Sequence, residues 1–311
     1  MNKARKALES LLTNHEFKAD IRYDEPMSEH TTFKVGGPAD VWVRPHGEDI
    51  SAISSLIFSG CGGVPVFILG GGANIVVSDR GIRGIVLDTG GWKGCYAEGE
   101  YLVAKSGTKL DEAAECAAEA GLCGLEFLAG MPGTIGGAVY MNARCYGREI
   151  TDVLVSTEII DFSNGKPAPK KILTKEGGFG YKQSPFQGKK NFINTAKFKL
   201  QPKNKDDILS EMKKNRQDRE QKGHYTFPSA GSIFKNNHIF GKPAGQIIDE
   251  LGLLGLQIGG AQVAPFHGNI IVNSGKASAS DIRALVEEVA ARVKDKKGIT
   301  LETEIIFAGE W

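Results

Sequence analysis

GLCGLEFLAGMPGTIGGAVYMNARCYG, residues Gly121–Gly147, is the stretch on which the fold turns. Its glycines stand among Leu, Phe, Met, Ile, Val and Tyr, so it is neither a flexible linker nor an ordinary helix or strand. Glycine at that density fits a backbone that must take positive φ, or one that another group must approach more closely than a Cβ allows. Met131-Pro132-Gly133-Thr134 reads as a turn: Pro132 pre-sets its own φ, and Gly133 is free to take φ > 0 at the next position. Gly136-Gly137 then open AVYMNA, and their bare amides suit an anion. Two readings stand here, a tightly packed βα junction and a phosphate or cofactor cradle. A glycine loop without the full dinucleotide-binding spacing does not decide between them.

The pattern recurs upstream. An apolar run, Val64 to Leu69, stops in Gly70-Gly71-Gly72, and a second, Ile75 to Val77, restarts after Asn74. Three glycines after a strand can lie against a pyrophosphate because no side chain intervenes; a simple turn is the alternative. Further upstream, HTTFKVGGPAD (His30 to Asp40) turns on Gly36-Gly37-Pro38 and leads into the strand VWVRP. Asp49 to Ser59 is helical by period, with Ile53, Leu56 and Ile57 on one face and Gly60 at its end. The N-terminal MNKARKALESLL reads as an amphipathic helix with Leu8, Leu11 and Leu12 on one side. Apolar runs, glycine turns and helices in alternation predict α/β units.

Downstream, YLVAK is a strand and LDEAAECAAEA a helix ended by Gly121. Ile150 to Phe162 and Asn191 to Leu200 read as strands. Between them FGYKQSPF (Phe179 to Phe186) carries Lys182, for which solvation is the plainer reading. Gln201 to Lys205 reads as a linker. The helix from Asp206 puts Arg216 and Arg219 on one side near its C-terminal end, suited to the helix dipole (~0.3–1 kcal/mol) or to a diphosphate. PSAGSIFKNN (Pro228 to Asn237) holds Ser229 and Ser232 without the G-x-S-x-G of an acyl-transfer elbow. The remainder reads as a compact α/β domain. GKPAGQIIDELGL is a helix, and APFHGNIIVN a loop entering a strand. SASDIRALVEEVAARVKDKKG is a capped helix with an apolar stripe of Ile282, Leu285, Val286, Val289 and Val293. The closing ITLETEIIF alternates as a strand and puts Glu302 and Glu304 on one face.

Composition limits the function classes. A chain of 311 residues accommodates two or three domains. Net charge +1, from 38 basic and 37 acidic residues, argues against a nucleic-acid surface. Glycine, 40 of 311 or about 13% against an average near 7%, is concentrated in loops. Cys61, Cys95, Cys116, Cys123 and Cys145 show no paired CxxC spacing, which points to a reduced, cytoplasmic compartment. The apolar runs are too short to span a bilayer, and the N-terminus lacks the features of a signal peptide.

TTFKVGGPAD, LGGGANIVVSDRGIRG, GLEFLAGMPGTIGGAVYMNA, FGYKQSPF, PSAGSIFKN, HGNIIVN and LETEI, in that order from Thr31 to Ile305, closely resemble the motifs of one family. That family is the UDP-N-acetylenolpyruvoylglucosamine reductases (MurB). The short interval from Lys182 to Ser232 resembles the compact variant, without the extra substrate-covering loop. The resemblance implies an α+β fold: a two-lobed FAD-binding domain of the vanillyl-alcohol-oxidase (PCMH) type, which agrees with the missing G-x-G-x-x-G, and a C-terminal α/β substrate domain. The expected division is 1–30, a helical segment packed on the flavin domain; 31–201, the flavin domain; and 205–311, the substrate domain.

By the same resemblance, FAD is bound without a covalent link. Its first contacts are Val35, Gly36, Gly37 and Pro38. Leu69, Gly70, Gly71, Gly72, Ala73, Asn74 and Ser78 follow. The central stretch adds Ala129, Gly130, Pro132, Gly133, Thr134, Gly136, Gly137 and Ala138, with Asn142. The implied reaction reduces UDP-N-acetylglucosamine enolpyruvate to UDP-N-acetylmuramate with NADPH, in peptidoglycan synthesis and hence in cell-wall biogenesis, cell shape, the cell cycle and division. A hydride reaching the β-carbon leaves an enolate-like charge that needs a cation and then a proton. Ser232 matches the proton donor and Glu304 the catalytic glutamate, with Glu302 as fallback. Arg219, Lys235 and Asn236, then Arg216, match substrate contacts; Tyr181, Gln262, His267 and Asn269 complete the expected set. No metal, membrane or nucleic-acid partner is implied, and a monomer is expected.

One departure stands out. The family usually has FGYR, and here Lys182 supplies a point charge without the bidentate fork. Arg144 and Cys145 replace residues that are usually small, so Arg144 could supply the missing guanidinium. An oxidase of small alcohols on the same fold would lack PSAGSIFKN and LETEI. A silent flavin- or nucleotide-binding protein would not need Ser232 and Glu304.

Overall fold

The computed structural model describes residues 3–12, 18–47, 49–60 and 62–311. They pack into two compact units, and the chain passes between these more than once. The first takes Met1–Asp24, Asp40–Gly71 and Gly84–Asp218; the second takes Glu25–Ala39, Gly72–Arg83 and Arg219–Trp311.

The first unit holds two sheets. One is four-stranded, in the order Ala19–Pro26, Pro38–Pro45, Ile82–Asp88, Val66–Leu69. Its last two strands run parallel, Val66 opposite Ile85 and Leu69 opposite Asp88. Helix Asp49–Gly60 supplies Ile50, Ile53 and Ile57 to the core under this sheet, and Lys3–Leu12 supplies Ala4 and Leu8. The side chains of Leu11 and Leu12, and Cys61 altogether, lie outside the described residues.

The other sheet is antiparallel and five-stranded: Ala168–Leu173, Leu154–Asp161, Asn191–Lys199, Tyr101–Lys105, Cys95–Glu98. Helices Leu110–Glu119, Ile135–Met141 and Lys205–Gln221 bury Ala113, Ala117, Ile135, Val139, Ile208 and Met212 in one cluster with Leu102, Ala104 and Phe198 of the sheet. Small alanines let the helices lie close to the sheet, so the glycine loop between them is held at short range.

In the second unit, Ser229–Ser232, Ile270–Asn273, Ala261–Val263 and Gln257–Ile258 form an antiparallel sheet. Helix Ala279–Lys297 packs its apolar stripe, Ile282 to Val293, into that unit's core. Ser278 caps this helix through a reciprocal capping box with Asp281, whose carboxyl is thereby held below its ordinary pKa. Strand Ile306–Ala308 pairs in parallel with Ile75–Val77.

Two sequence expectations are corrected. The closing strand is not continuous over ITLETEIIF: only Ile306–Ala308 is a strand, and Thr303 forms an isolated bridge to Phe234. Alternation persisted in the sequence because Leu301 and Ile305 are buried on either side of the Phe234–Thr303 bridge. Likewise Ile150–Asp152 is a 3-10 turn, and its strand begins at Leu154. No described helix is long and apolar enough to cross a membrane. Among the described residues no cluster suits a metal ion.

Candidate active site

The glycine loop of the first unit is pinned by neighbouring backbone. The Gly136 amide donates to the Ser106 carbonyl at 2.8 Å, and the Ile135 amide to Thr108 at 2.9 Å. Thr134 caps the seven-residue helix Ile135–Met141, its Oγ1 accepting from the Gly137 amide at 3.4 Å. Both glycine amides are therefore engaged, and the expectation that they lie bare for an anion is corrected: the short helix uses them to fix its own start. Ala129 and Ala138 sit in the apolar core, while Pro132 is exposed. The Gly130 amide donates to Asp111 Oδ1 at 2.9 Å, from the first turn of the preceding helix.

A Cβ on Gly71 would lie 2.7 Å from Gly133 Cα, and one on Gly70 would lie 2.8 Å from Thr134 Oγ1. Leu69 ends its strand buried, so Gly71 meets the Gly133 backbone directly and Gly70 meets the Thr134 hydroxyl. Such a wall fits the pyrophosphate of a flavin dinucleotide, which side chains would hold off.

The Lys182 segment is a tight turn. Gly180 and Gln183 exchange two backbone hydrogen bonds, at 3.2 and 3.0 Å, leaving Tyr181 and Lys182 at the tip. Lys182 has φ +56°, a left-handed conformation costing about 1–2 kcal/mol for a residue with a Cβ. Three neighbours hold it. Asn142 Nδ2 donates to the Gly180 carbonyl at 2.9 Å, Gln187 Nε2 to the Lys182 carbonyl at 3.2 Å, and Ser184 Oγ to the Tyr140 carbonyl at 2.7 Å. Asn142 is fully buried and itself left-handed, at φ +43°, and its Oδ1 accepts from Thr151 at 3.3 Å. Its side chain thus joins the end of the glycine loop to the Lys182 turn.

In the second unit, Val35 is buried and Gly36 packs on Val77 and Met27. Gly37 donates to the Ser78 carbonyl at 2.8 Å, and the Pro38 carbonyl accepts from Arg83 at 2.9 Å. Gly72 lies against the His30 carbonyl, and half-buried Ala73 follows. Ser78 is buried, its hydroxyl donating to the Glu310 carbonyl. Asn74 holds the terminal motif on both sides of Ile305: Nδ2 donates to the Glu304 carbonyl at 3.1 Å, and the Asn74 carbonyl accepts from Ile306 at 3.0 Å.

The Glu304 backbone is brought opposite Ile233, the residue after Ser232. The Glu304 amide donates to the Ile233 carbonyl at 2.7 Å and the Lys235 amide to Glu302 at 2.8 Å, around the Phe234–Thr303 bridge. A bulge precedes Ser232: the ladder slips between Ser229 and Ser232, and Gly231 takes φ +70°. Bulges re-aim side chains in this way. Glu304 is half-buried, whereas Glu302 is 73% exposed and paired with Lys235.

The other expected substrate residues fall into two groups. Asn269, 2% exposed, clamps Phe234, accepting from its amide at 2.9 Å and donating to its carbonyl at 2.8 Å. Asn236 Oδ1 accepts from the Ala244 amide at 2.9 Å, and Gln262 Nε2 donates to Gly255 at 3.3 Å. His267 lies at the surface, yet its ring packs on Gly245 and desolvation lowers its pKa; Nδ1 accepts from the Asn269 amide at 3.1 Å. Arg219 is buried. Arg216 binds Asp111 Oδ1 at 2.8 Å and Glu115 at 2.6 Å, and the bond to Asp111 is the main reason its pKa is raised. Sequence reasoning passed over Gln187 and Asp111. Asp111 carried a signal, an acid in a helix's first turn; Gln187 carried none, because its bonds depend on a turn five residues earlier.

Residues 47–168 match the FAD binding domain family, and residues 221–308 match the C-terminal domain of UDP-N-acetylenolpyruvoylglucosamine reductase. Together these define a two-domain α+β flavin oxidoreductase. The UDP-N-acetylenolpyruvoylglucosamine reductase of Treponema denticola is 41% identical over 305 residues, 94% of each chain. That of Borreliella burgdorferi is 42% identical over 290 residues, 91% of this chain and 93% of its own. The crystal structure of the Thermus caldophilus enzyme is 32% identical with a TM-score of 0.75, covering 94% of this chain and all of that one. The chain belongs to the UDP-N-acetylenolpyruvoylglucosamine reductase family.

Proposed function

We propose how this family member performs its chemistry. It reduces UDP-N-acetylenolpyruvoylglucosamine in an FAD-dependent step of peptidoglycan synthesis. NADPH is the proposed hydride source and the cytoplasm the proposed setting, with consequences for cell shape, the cell cycle and division. Bound FAD supplies hydride transfer to the enolpyruvyl β-carbon. We assign 31–201 to flavin binding, 205–311 to substrate binding and 1–30 to a supporting N-terminal segment, of which Lys3–Leu12 is helical and Ala19–Pro26 a strand; a monomer is the proposed acting form.

Gly70, Gly71, Gly133 and Thr134 offer the wall for the pyrophosphate, with the remaining contacts in Val35 to Pro38, in Leu69, Gly72, Ala73, Asn74 and Ser78, and in Ala129 to Ala138. Asn142 acts through the Lys182 turn. Lys182 neutralises the substrate carboxylate as negative charge develops at the α-carbon, and Ser232 delivers the proton there. A hydroxyl is a weak acid in water, so its competence comes from being held in place beside a strongly basic carbon. Glu304 orients substrate and Ser232. Arg219, Lys235, Asn236, Tyr181, Gln262 and His267 contact the UDP-sugar. The Lys235–Glu302 pair, half-buried at Lys235 and exposed at Glu302, is worth about 0–1 kcal/mol and exchanges readily for a phosphate. Arg216 could contact substrate only by leaving Asp111 and Glu115, and Asn269 supports the segment next to Ser232.

The observation that carries the reading is the pairing of Ile233–Lys235 with Glu302–Glu304, which ties the chain segment after Ser232 to the segment of Glu304. The test is an anaerobic half-reaction: reduce the bound flavin with NADPH, add substrate, and follow flavin absorbance. Rapid reoxidation is expected, and Ser232→Ala is expected to slow it at least 100-fold while flavin stays bound. A wild-type flavin that remains reduced until oxygen enters overturns the reading.

A further inference from the structure

We propose that Arg144 is a second cation for the substrate carboxylate, acting beside Lys182 and restoring the guanidinium that the lysine lacks. The proposal rests on the assignment of Lys182 above. Asn142, whose side chain donates to the Gly180 carbonyl, stands two residues before Arg144, as Gly180 stands two before Lys182. One hydrogen bond of 2.9 Å therefore ties together the starts of both segments. The Arg144 guanidinium lies 5.8 Å from the ring centroid of Tyr181, the residue next to Lys182. That contact orients an otherwise long, mobile side chain along the tip of the turn.

The hairpin bearing Arg144 is stiff. Arg144–Cys145 and Arg148–Glu149 pair across a two-residue turn whose Tyr146 and Gly147 both take positive φ, at 52° and 76°. This is the turn whose twist suits a hairpin. The Tyr146 hydroxyl anchors the tip, donating to Asp218 at 2.8 Å.

The charge on Arg144 is available. It is exposed, and among the described residues it forms no ion pair with a carboxylate. Glu149, directly across the hairpin, instead accepts from Thr151 at 2.7 Å, and Arg148 lies 3.9 Å from Asp152. A carboxylate prefers two parallel N–H donors from a planar fork, which an ammonium cannot present. Lys182 and Arg144 together would present the point charge and the fork from neighbouring segments.

The experiment is a kinetic cycle on the holoenzyme: Arg144→Ala, Lys182→Met, the double variant, and Arg144→Ala within Lys182→Arg. Flavin affinity and thermal melting are measured for each. Arg144→Ala is expected to lower kcat/KM by about 10–100-fold, the range of a charge-assisted hydrogen bond, with flavin affinity unchanged. Arg144→Lys is expected to recover only part of it. When position 182 carries arginine, the Arg144→Ala loss is expected to shrink to about threefold or less, because the fork is then already present. Equal losses in the lysine and arginine backgrounds overturn compensation. A normal Arg144→Ala beside a crippled Lys182→Met overturns this proposal alone, whereas full turnover in Lys182→Met overturns the assignment of Lys182 beneath it.

Discussion

Gly71 in the first unit and Gly37 in the second both occupy places where a side chain does not fit, but they face different neighbours. A Cβ on Gly71 meets the Cα of another glycine, Gly133, at 2.7 Å. A Cβ on Gly37 meets the Asp79 carbonyl oxygen at 2.0 Å and Gly81 N at 2.8 Å. The Gly37 region is knitted by backbone hydrogen bonds, from Gly37 to Ser78 at 2.8 Å and from Met27 to Gly37 at 3.0 Å. It is framework. The Gly71–Gly133 approach is a contact between two turns, and the Leu110 amide reaches the Gly133 carbonyl at 3.2 Å. Glycine at position 37 lets strand-edge backbone interlock; at position 71 it lets two turns touch backbone to backbone.

Gly37→Ala gives the largest expected effect. The chain must move backbone to admit the methyl, so stability should fall by about 3 kcal/mol or more, read by thermal melting of the flavin-free protein. A variant melting with the wild type would abolish the distinction drawn above. Gly71→Ala should reverse the balance. Flavin affinity, titrated by fluorescence quenching, should drop at least tenfold, and stability should fall by less than at Gly37, because the overlap is with the Gly133 Cα at 2.7 Å rather than with a carbonyl oxygen at 2.0 Å. Comparable losses of stability at both sites would make Gly71 framework as well. Thr134→Val sharpens the same point at the smallest scale. Losing the cap bond to Gly137 should cost about 1 kcal/mol, and flavin binding should change only a fewfold; a collapse of binding would show that the hydroxyl itself serves the ligand.

The sequence shows which loops matter more clearly than it shows what their side chains do. The strands at Tyr101–Lys105 and Asn191–Lys199 and the capped helix Ala279–Lys297 follow directly from local periodicity and capping residues. The family motifs mark Ser232 and Glu304 as partners, although 72 positions separate them in the chain. Beyond that, local pattern fails for physical reasons. Gly136 reads as an open amide because its acceptor, Ser106, lies on a different element. The resemblance makes Asn142 a flavin contact, and local pattern gives no sign that it is buried and engaged with Gly180 and Thr151. Lys182 gives no sign in composition of its left-handed backbone, which is imposed by bonds from Asn142 and Gln187. In each case at least one deciding partner, Ser106 for Gly136 and the Asn142–Gly180 bond for the other two, is distant in sequence, where spacing carries no information.

The parallel pairing of Ile75–Val77 with Ile306–Ala308 also sets a timetable. Asn74 and Glu304, at the start of that pairing, are 230 residues apart. At ribosomal rates of about 5–20 residues per second, the earlier strand waits roughly 10 to 50 seconds for its partner to be made. During that interval Val76, fully buried in the finished protein, has no strand of its own chain to lie beside. The second unit is therefore completed only once Ile306–Ala308 has been made. A chain released before Ile306 is left with an apolar strand edge for chaperones or proteases to find.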